Sequence, residues 1–138
     1  MKRFLTLLLV IALFLVLPSS VSAATADPVQ PRFAYINSTY VNLTIDESSG
    51  TANCYAVCTA DQGLVVKIVG TLQRYEGMGW SDVRSWTLFC MQAAVMDKQW
   101  SVDSGYLYKF SVRFEIYNSM DTLLETHTSS DTYYYPAP

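Results

Sequence analysis

Few side chains in this sequence could do catalytic chemistry, because the 138 residues include only one histidine. A Ser/His/Asp or Cys/His arrangement would have to be built on that residue, His127. It lies between Thr126 and Thr128, in a polar stretch that is typical of an exposed edge strand. We therefore expect no enzyme, and a small secreted hydrolase that depends on His127 is the less favoured alternative.

The cysteines and acidic residues do not indicate a metal or cofactor site. Cys54 and Cys58 are four positions apart in the sequence. On one strand they would share a face at roughly 13 Å, whereas the Cα atoms of a disulfide lie within about 7 Å. Either both are small apolar core residues, or one of them pairs with Cys90 across the core. A single histidine and the lack of a run of spaced aspartates predict neither a zinc site nor a calcium site.

Aromatic side chains are the one feature that indicates a function. Trp80 and Trp86 lie in or beside a predicted short strand, Tyr75 precedes it, and Tyr117 lies near a turn. Exposed planar rings stack on sugar rings or anchor a protein partner. These four residues are therefore candidate ligand-binding residues. The alternative is that the tryptophans close the ends of a hydrophobic core.

The N-terminus has the pattern of a secretory signal peptide. Two basic residues precede an apolar run from Phe4 to Leu17, and Val21-Ser22-Ala23 offers small residues where a signal peptidase cuts. A membrane-spanning helix needs roughly 18–20 apolar residues, so the shorter run predicts secretion. Ala24, rather than a cysteine, follows the predicted cleavage site. We therefore expect no lipid anchor and no membrane association after cleavage.

Length and charge exclude several classes of protein. Cleavage after Ala23 leaves 138 − 23 = 115 residues, enough for one domain with a single core. All 12 acidic residues remain, with 7 of the 9 basic ones, so the net charge becomes 7 − 12 = −5. A multidomain protein, a basic nucleic-acid binder and a polytopic membrane protein are excluded.

Alternating apolar and polar residues predict an all-β domain. The clearest run has a large apolar side chain at every second position from Tyr106 to Ile116, with mainly polar side chains between them. The stretch 51–60 alternates small apolar residues with larger or polar ones. An antiparallel two-sheet sandwich of about seven strands buries both apolar faces. Turn signals rich in Gly, Asn and Asp recur along the chain, at 46–50, 61–63, 76–79, 103–105 and 118–121.

The less regular stretches set the predicted boundaries. Trp80–Trp86 is typical of a short hairpin partner, and Thr122–Thr128 of a polar edge strand. The predicted organisation is a signal peptide over 1–23, preceding the sandwich as a helix, a flexible segment over 24–31, a β-sandwich over 32–130 and a Tyr/Pro-rich tail over 131–138.

The segment from Val102 to Val112 resembles the start of strand F in fibronectin type III and related immunoglobulin-like domains. In those domains a tyrosine that follows a turn bonds back to the turn through its hydroxyl group, which forms a tyrosine corner. Tyr108 matches that tyrosine by its spacing from Gly105. The Cys…Trp…Cys signature of immunoglobulin domains is absent, so the resemblance does not imply their intersheet disulfide.

A wider resemblance covers nearly all of the chain after the signal peptide. The succession of Arg32–Ile36, Gly50–Ala56, Leu72–Tyr75, Trp80–Trp86 and Gly105–Tyr108 is similar to a group of small secreted bacterial proteins. These consist of one domain of unknown function behind a signal peptide. The resemblance implies a fold and a compartment, and it implies no activity.

These observations predict a secreted, non-catalytic module that binds an extracellular protein or a glycan, in the extracellular space or at the cell wall. No sorting motif or hydrophobic tail follows the last predicted strand, so release is expected rather than covalent attachment. A carbohydrate-binding module that uses exposed Trp and Tyr side chains is the alternative. We expect no cofactor and no nucleic-acid partner.

Overall fold

Residues 32–138 form seven antiparallel β-strands in two sheets, as described by a computed structural model. Three strands form sheet A, in the order β1-β2-β5, and four form sheet B, in the order β4-β3-β6-β7. The strands are β1 (Ile36–Asp46), β2 (Thr51–Ala60), β3 (Val65–Tyr75), β4 (Trp80–Met91), β5 (Ala93–Ser101), β6 (Tyr106–Tyr117) and β7 (Leu123–Tyr135).

The prediction of an all-β, two-sheet architecture is confirmed, since the described residues contain no helix. It follows that residues 32–138 include no helix long and apolar enough to cross a membrane. The predicted signal peptide (1–23) and the predicted flexible segment (24–31) lie outside the described residues.

Small side chains on β2 face large ones across the core. The inward positions of β2 carry only alanine and cysteine, whereas β6 contributes buried rings such as Phe110 and Phe114. At Gly70, on β3, a Cβ atom would lie 2.7 Å from the sulfur of Met96 and 2.7 Å from the ring of Phe110. The two sheets therefore pack closely, because small side chains or a glycine in one strand leave room for large side chains from its neighbours.

Two predicted strands are longer than expected. β4 continues past Trp86 to Met91, and its partners along β3 run from Tyr75 to Val65. β7 continues through Tyr135, where its last three tyrosines pair with the first residues of β6. The prediction of a tail over 131–138 was wrong for its first five residues, because cross-strand pairing with β6 orders them.

β4 and β5 belong to different sheets although a single residue separates them. That residue, Gln92, has a positive φ of 62°. Its N–H donates to the carbonyl of Leu64 at 2.8 Å, and its carbonyl accepts from the N–H of Ala60 at 2.7 Å. Both partners flank the same turn, between β2 and β3, and they hold the strained backbone where the chain crosses directly between the sheets.

A tyrosine corner closes the connection between β5 and β6. The hydroxyl group of Tyr108 donates to the carbonyl of Asp103 at 2.9 Å and accepts from the N–H of the same residue at 3.1 Å. Tyr108 is buried, and burial is the main reason that its pKa is raised. Gly105, between them, has a φ of 88°, which favours glycine. These are the contacts that the resemblance to strand F implies.

Carboxylates on the inner face of β7 hold β1 in place. Glu125 accepts hydrogen bonds from three consecutive backbone N–H groups, those of Ala34, Tyr35 and Ile36, at 3.0, 2.8 and 3.0 Å. Asp131 accepts one from the N–H of Leu43 at 2.9 Å. Strand β1 pairs with β2 alone, so these carboxylates satisfy donors on its other edge.

Candidate binding face

The outer face of sheet B is built from alternate residues of four strands. Even-numbered residues of β3 and β6 are mostly buried in the core, so the odd-numbered ones point outward. Cross-strand pairing aligns the outward residues in rows that run from β4 through β3 and β6 to β7. The rows at the two ends are rich in aromatic and charged side chains, and the rows between them carry mainly Ser and Thr.

The aromatic end of this face consists of Tyr75, Trp80, Lys109 and Tyr134. Tyr75 and Trp80 are direct cross-strand partners, and their rings meet edge to face with centroids 5.4 Å apart. The ammonium group of Lys109 lies over the Trp80 ring at 4.2 Å, which is a cation–π contact. Tyr75 is 40% exposed and Tyr134 59% exposed. The structure therefore brings two of the four predicted ligand-binding residues together at one accessible place.

Trp86 does not belong to this cluster. It pairs with Gly70 on the inner side of sheet B, is half-buried against the core, and meets Phe110 edge to face with centroids 6.4 Å apart. A register shift at Leu72/Gln73 separates it from Trp80. Two residues six positions apart share a face in a regular strand, but the extra residue reverses the alternation. The prediction that both tryptophans contact a ligand therefore does not hold for Trp86.

Tyr117 lies at the opposite end of the outer face. It pairs with Val65, ten residues along β3 from Tyr75, which corresponds to roughly 33 Å. Its hydroxyl group donates to a carboxylate oxygen of Glu115 at 2.6 Å. Tyr117 therefore belongs to a second cluster and cannot act on the same small ligand as Trp80.

This second cluster, the ionic cluster, consists of Lys67, Arg113, Glu115 and Tyr117. Glu115 is only 6% exposed although it lies on the outer face. Lys67 contacts one carboxylate oxygen at 2.8 Å, and the Nε of Arg113 contacts the other at 2.6 Å. The Lys67 ammonium also lies 5.6 Å from the centroid of the Phe89 ring. The cluster therefore combines a neutralised carboxylate with exposed cationic and aromatic groups.

The ionic cluster shifts the pKa values of its members. Burial raises the pKa of Glu115, but hydrogen bonds from Lys67 and Tyr117 outweigh burial, so the pKa lies below its ordinary value. The hydrogen bond to Glu115 raises the pKa of Lys67 and also that of Tyr117. These shifts keep the carboxylate and the ammonium group charged and keep the Tyr117 hydroxyl protonated, so the cluster stays paired at neutral pH.

Sequence reasoning did not single out Lys67, Lys109, Arg113 or Glu115 as functional residues. Their period-two spacing places them on the polar side of β3 and β6, but it does not predict which side chains they contact. Which rings they contact depends on the neighbouring strands β4 and β7, and therefore on the register between strands distant in sequence.

His127 is not an exposed edge-strand residue, as the sequence analysis expected. It faces inward on β7, half-buried, with its ring 4.8 Å from that of Phe33 and stacked on that of Phe114 at 6.2 Å between centroids. The polar neighbours that suggested exposure point to the other face of the strand. The prediction was wrong because the inner face of β7 carries polar residues that pack against β1.

The three cysteines are free thiols. Cys54 and Cys58 both point into the core, and burial raises their pKa values to about 12 and about 11, with the charge of Glu125 adding to the effect at Cys58. Cys90 lies half-buried on the edge strand β4. The bridge to Cys90 that the sequence left open is therefore not formed. Within residues 32–138, no group of three His, Cys, Asp or Glu side chains could hold a metal ion.

Comparison of the chain with family models, curated proteins and solved structures finds no match.

Proposed function

We propose that this protein is a secreted, non-catalytic binding module with an immunoglobulin-like sandwich. The strand order supports the fold assignment. When the strands are lettered A to G, sheet A contains A-B-E and sheet B contains C-F-G, the neighbours found in immunoglobulin constant domains. The fourth strand lies beside C here rather than beside E. The tyrosine corner at the start of the sixth strand is the second support.

The pair formed by Tyr75 and Trp80, with Lys109 over the indole ring, is the observation that carries the binding role. It places aromatic surface and a cation on the outer face of a rigid sheet, and the exposed ring of Tyr134 lies at the same end of that face, two strands from Tyr75. Solvent-facing aromatic groups on a rigid support lose little conformational entropy when a partner covers them. The partner class is an extracellular protein or glycan.

A glycan is the more specific candidate at the aromatic end. Sugar rings stack on aromatic faces through their C–H groups, and Lys109 would favour a sugar that carries a carboxylate. One face of Trp80 lies under Lys109, which leaves the exposed rings of Tyr75 and Tyr134 for stacking. A glycan with acidic groups therefore suits this end better than a neutral one.

Tryptophan fluorescence tests this candidate. The wild type is titrated with neutral and with uronate-containing soluble polysaccharides. We expect the uronate-containing polysaccharide to shift its emission. The shift should disappear in Trp80→Phe and persist in Trp86→Phe, the matched control on the inner face. An unchanged wild-type spectrum across the panel would reject the glycan and leave a protein as the partner.

Secretion is supported by the basic residues, the apolar run and the small residues before Ala24 in the sequence. The small bacterial proteins that the sequence resembles carry a signal peptide in the same position. Protein recovered from the medium of expressing cells should have Ala24 as its first residue. An intact N-terminus on cell-associated protein would contradict this part of the proposal.

A further inference from the structure

Two cationic side chains lie on the inner faces of the sandwich, at the side where β4 and β5 are the edge strands of their sheets. Arg84 is the cross-strand partner of Leu72, and Lys98 is that of Cys54, and both partners point into the core. Directly opposite residues share one face of a sheet, so Arg84 and Lys98 also lie on the inner faces. Both remain exposed, because no further strand of residues 32–138 covers this side.

Two tryptophans lie beside these cations. Trp86 on β4 and Trp100 on β5 are each two positions from the cation on the same strand, which corresponds to roughly 6.6 Å. The guanidinium carbon of Arg84 lies 4.7 Å from the centroid of the Trp100 ring, so this contact joins the two sheets. Trp100 is 38% exposed and Trp86 is half-buried. Arg84, Trp86, Lys98 and Trp100 form the edge cluster.

The cations of the edge cluster are not neutralised within the described chain. Neither Arg84 nor Lys98 forms an ion pair with another residue of 32–138. The carboxylates on the same two strands, Asp82 and Asp97, lie on the outer faces of their sheets. The sequence as a whole is acidic, with 12 acidic against 9 basic side chains. The edge cluster is therefore a local positive site that favours an anionic group.

The backbone of β5 has unused hydrogen-bonding groups next to the edge cluster. β5 pairs with β2 alone, so alternate N–H and C=O groups of β5 point away from sheet A. No turn or loop of residues 32–138 bonds to the backbone of 93–101. With the lettering given above, β5 is strand E, and immunoglobulin constant domains carry a fourth strand beside E. A strand added in that position would turn every second side chain towards β4 and the edge cluster.

We propose that β5 binds an extended acidic segment of a partner protein, which adds to sheet A as a fourth strand. Main-chain hydrogen bonds to β5 supply affinity, and alternate side chains supply specificity. On the inner side of the added strand, a glutamate or aspartate contacts Lys98 and Arg84, and an apolar side chain two positions away packs on Trp86. The edge cluster lies on the opposite face of sheet B from the aromatic end, so this inference goes beyond the proposed glycan site and does not rest on it.

The two cations also select the kind of segment that binds. A charged side chain that points inward at a sheet edge discourages strand addition, because an apolar strand would bury the charge without a partner. A carboxylate on the added strand removes this penalty by pairing with the cation. The cations that exclude a neutral segment therefore favour an acidic one.

NMR titration with short peptides tests the proposal, observing the backbone amides of the protein recovered after expression of the full chain. The probes have blocked ends and the sequence Thr-Val-Thr-Glu-Thr-Glu-Thr, or the same sequence with Gln or with Lys in place of Glu. We expect the Glu peptide to shift the amides of residues 93–101 with a Kd of about 1 mM. The Gln peptide should bind at least about tenfold more weakly, and the Lys peptide should not bind below about 10 mM.

Reversing the charge of the edge cluster tests the contact itself. The double variant Arg84→Glu and Lys98→Glu should bind the Lys peptide and lose the Glu peptide. Both positions are exposed, so we expect the double variant to fold, and its amide spectrum without peptide shows whether it does. Arg113→Gln is the matched control. It removes an exposed cation from the outer face of sheet B and should leave peptide binding unchanged.

The proposal is overturned if the Glu peptide leaves the amides of 93–101 unshifted at about 10 mM, or if the Gln peptide binds as tightly. It is also overturned if the double variant keeps the original preference. A uronate oligosaccharide that shifts these amides when the Glu peptide does not would assign the edge to a glycan. Shifts that appear with protein concentration alone would assign it to a second copy. The readout is confined to β5, so failure of the glycan proposal at the aromatic end leaves this test intact.

Discussion

Removing the Glu125 carboxylate is expected to destabilise the protein by releasing strand β1. The carboxylate accepts hydrogen bonds from the N–H groups of three consecutive residues, Ala34, Tyr35 and Ile36. Glu125→Ala removes the common acceptor of all three. Because β1 pairs with β2 on one side only, no neighbouring backbone replaces the lost acceptor.

The magnitude follows from the exposure of the three donors. Ile36 is buried, and a hydrogen bond to a charged group contributes about 1.5–3 kcal/mol. The N–H groups of Ala34 and Tyr35 lie in an exposed setting and can bond to water, so each adds only about 0.5 kcal/mol. Glu125→Ala should therefore lower the free energy of unfolding by about 2.5–4 kcal/mol. Glu125→Gln keeps one acceptor oxygen and should cost less.

Urea denaturation measures the effect. At a slope of about 2 kcal/mol per molar urea, the middle of the range for small proteins, the midpoint should fall by about 1–2 M in Glu125→Ala. Glu76→Gln is the matched control, since it removes an exposed carboxylate that pairs with Arg74 at 2.6 Å, and it should leave the midpoint nearly unchanged. Hydrogen exchange should show faster exchange at residues 34–36 in Glu125→Ala alone.

The effect should also depend on pH. Burial raises the pKa of Glu125, but the three backbone donors and the charge of His127 outweigh burial, so the pKa lies below its ordinary value of 4.5. A carboxyl group whose pKa is lowered by folding stabilises the folded state above its unfolded pKa and loses this contribution as the pH falls through its folded pKa. The difference between wild type and Glu125→Gln should therefore be constant above about pH 5 and shrink below about pH 4. The reasoning would be refuted if, at neutral pH, the free energy of unfolding of Glu125→Ala lay within about 0.5 kcal/mol of the wild-type value.

Two further predictions concern buried polar groups. Tyr108→Phe removes both hydrogen bonds of the tyrosine corner from a buried site and should lower the free energy of unfolding by about 1–3 kcal/mol in urea denaturation; an unchanged midpoint would contradict a stabilising role. Native protein treated with a thiol reagent at pH 8 should react at Cys90 alone, because burial raises the pKa values of Cys54 and Cys58 to about 12 and about 11. All three should react in denaturant, and fast native labelling of Cys54 would contradict the buried placement.

Strands that alternate strictly could be predicted from the sequence. β2 begins at Thr51 and ends at Ala60, where the alternation begins and ends, and β6 covers the run from Tyr106 to Ile116 with one more residue. Each strand lies in the middle of its sheet, with a neighbour on both sides. One buried face is then enough to impose a period of two on the side chains.

Edge strands were predicted less well, because the burial of their side chains depends on contacts with segments that are distant in sequence. β4 contains a register shift that reverses its faces, so Trp80 points outward and Trp86 inward although six residues separate them. β7 carries Glu125, His127 and Asp131 on its inner face, where they contact β1 or aromatic rings. A polar residue on an inner face looks like an exposed one until its partner is known.

The linear chain alone determined the class of this domain. Backbone preferences and the alternation of side chains set its turns, its strand-length segments and the buried side of each central strand. All three are local properties. Only the tertiary structure decided which side chains meet. The aromatic end and the ionic cluster each combine residues from different strands, and the order of the strands places them on one surface. Pairing between distant segments depends on register and on bulges, and a shift of one residue moves a side chain from the core to the solvent.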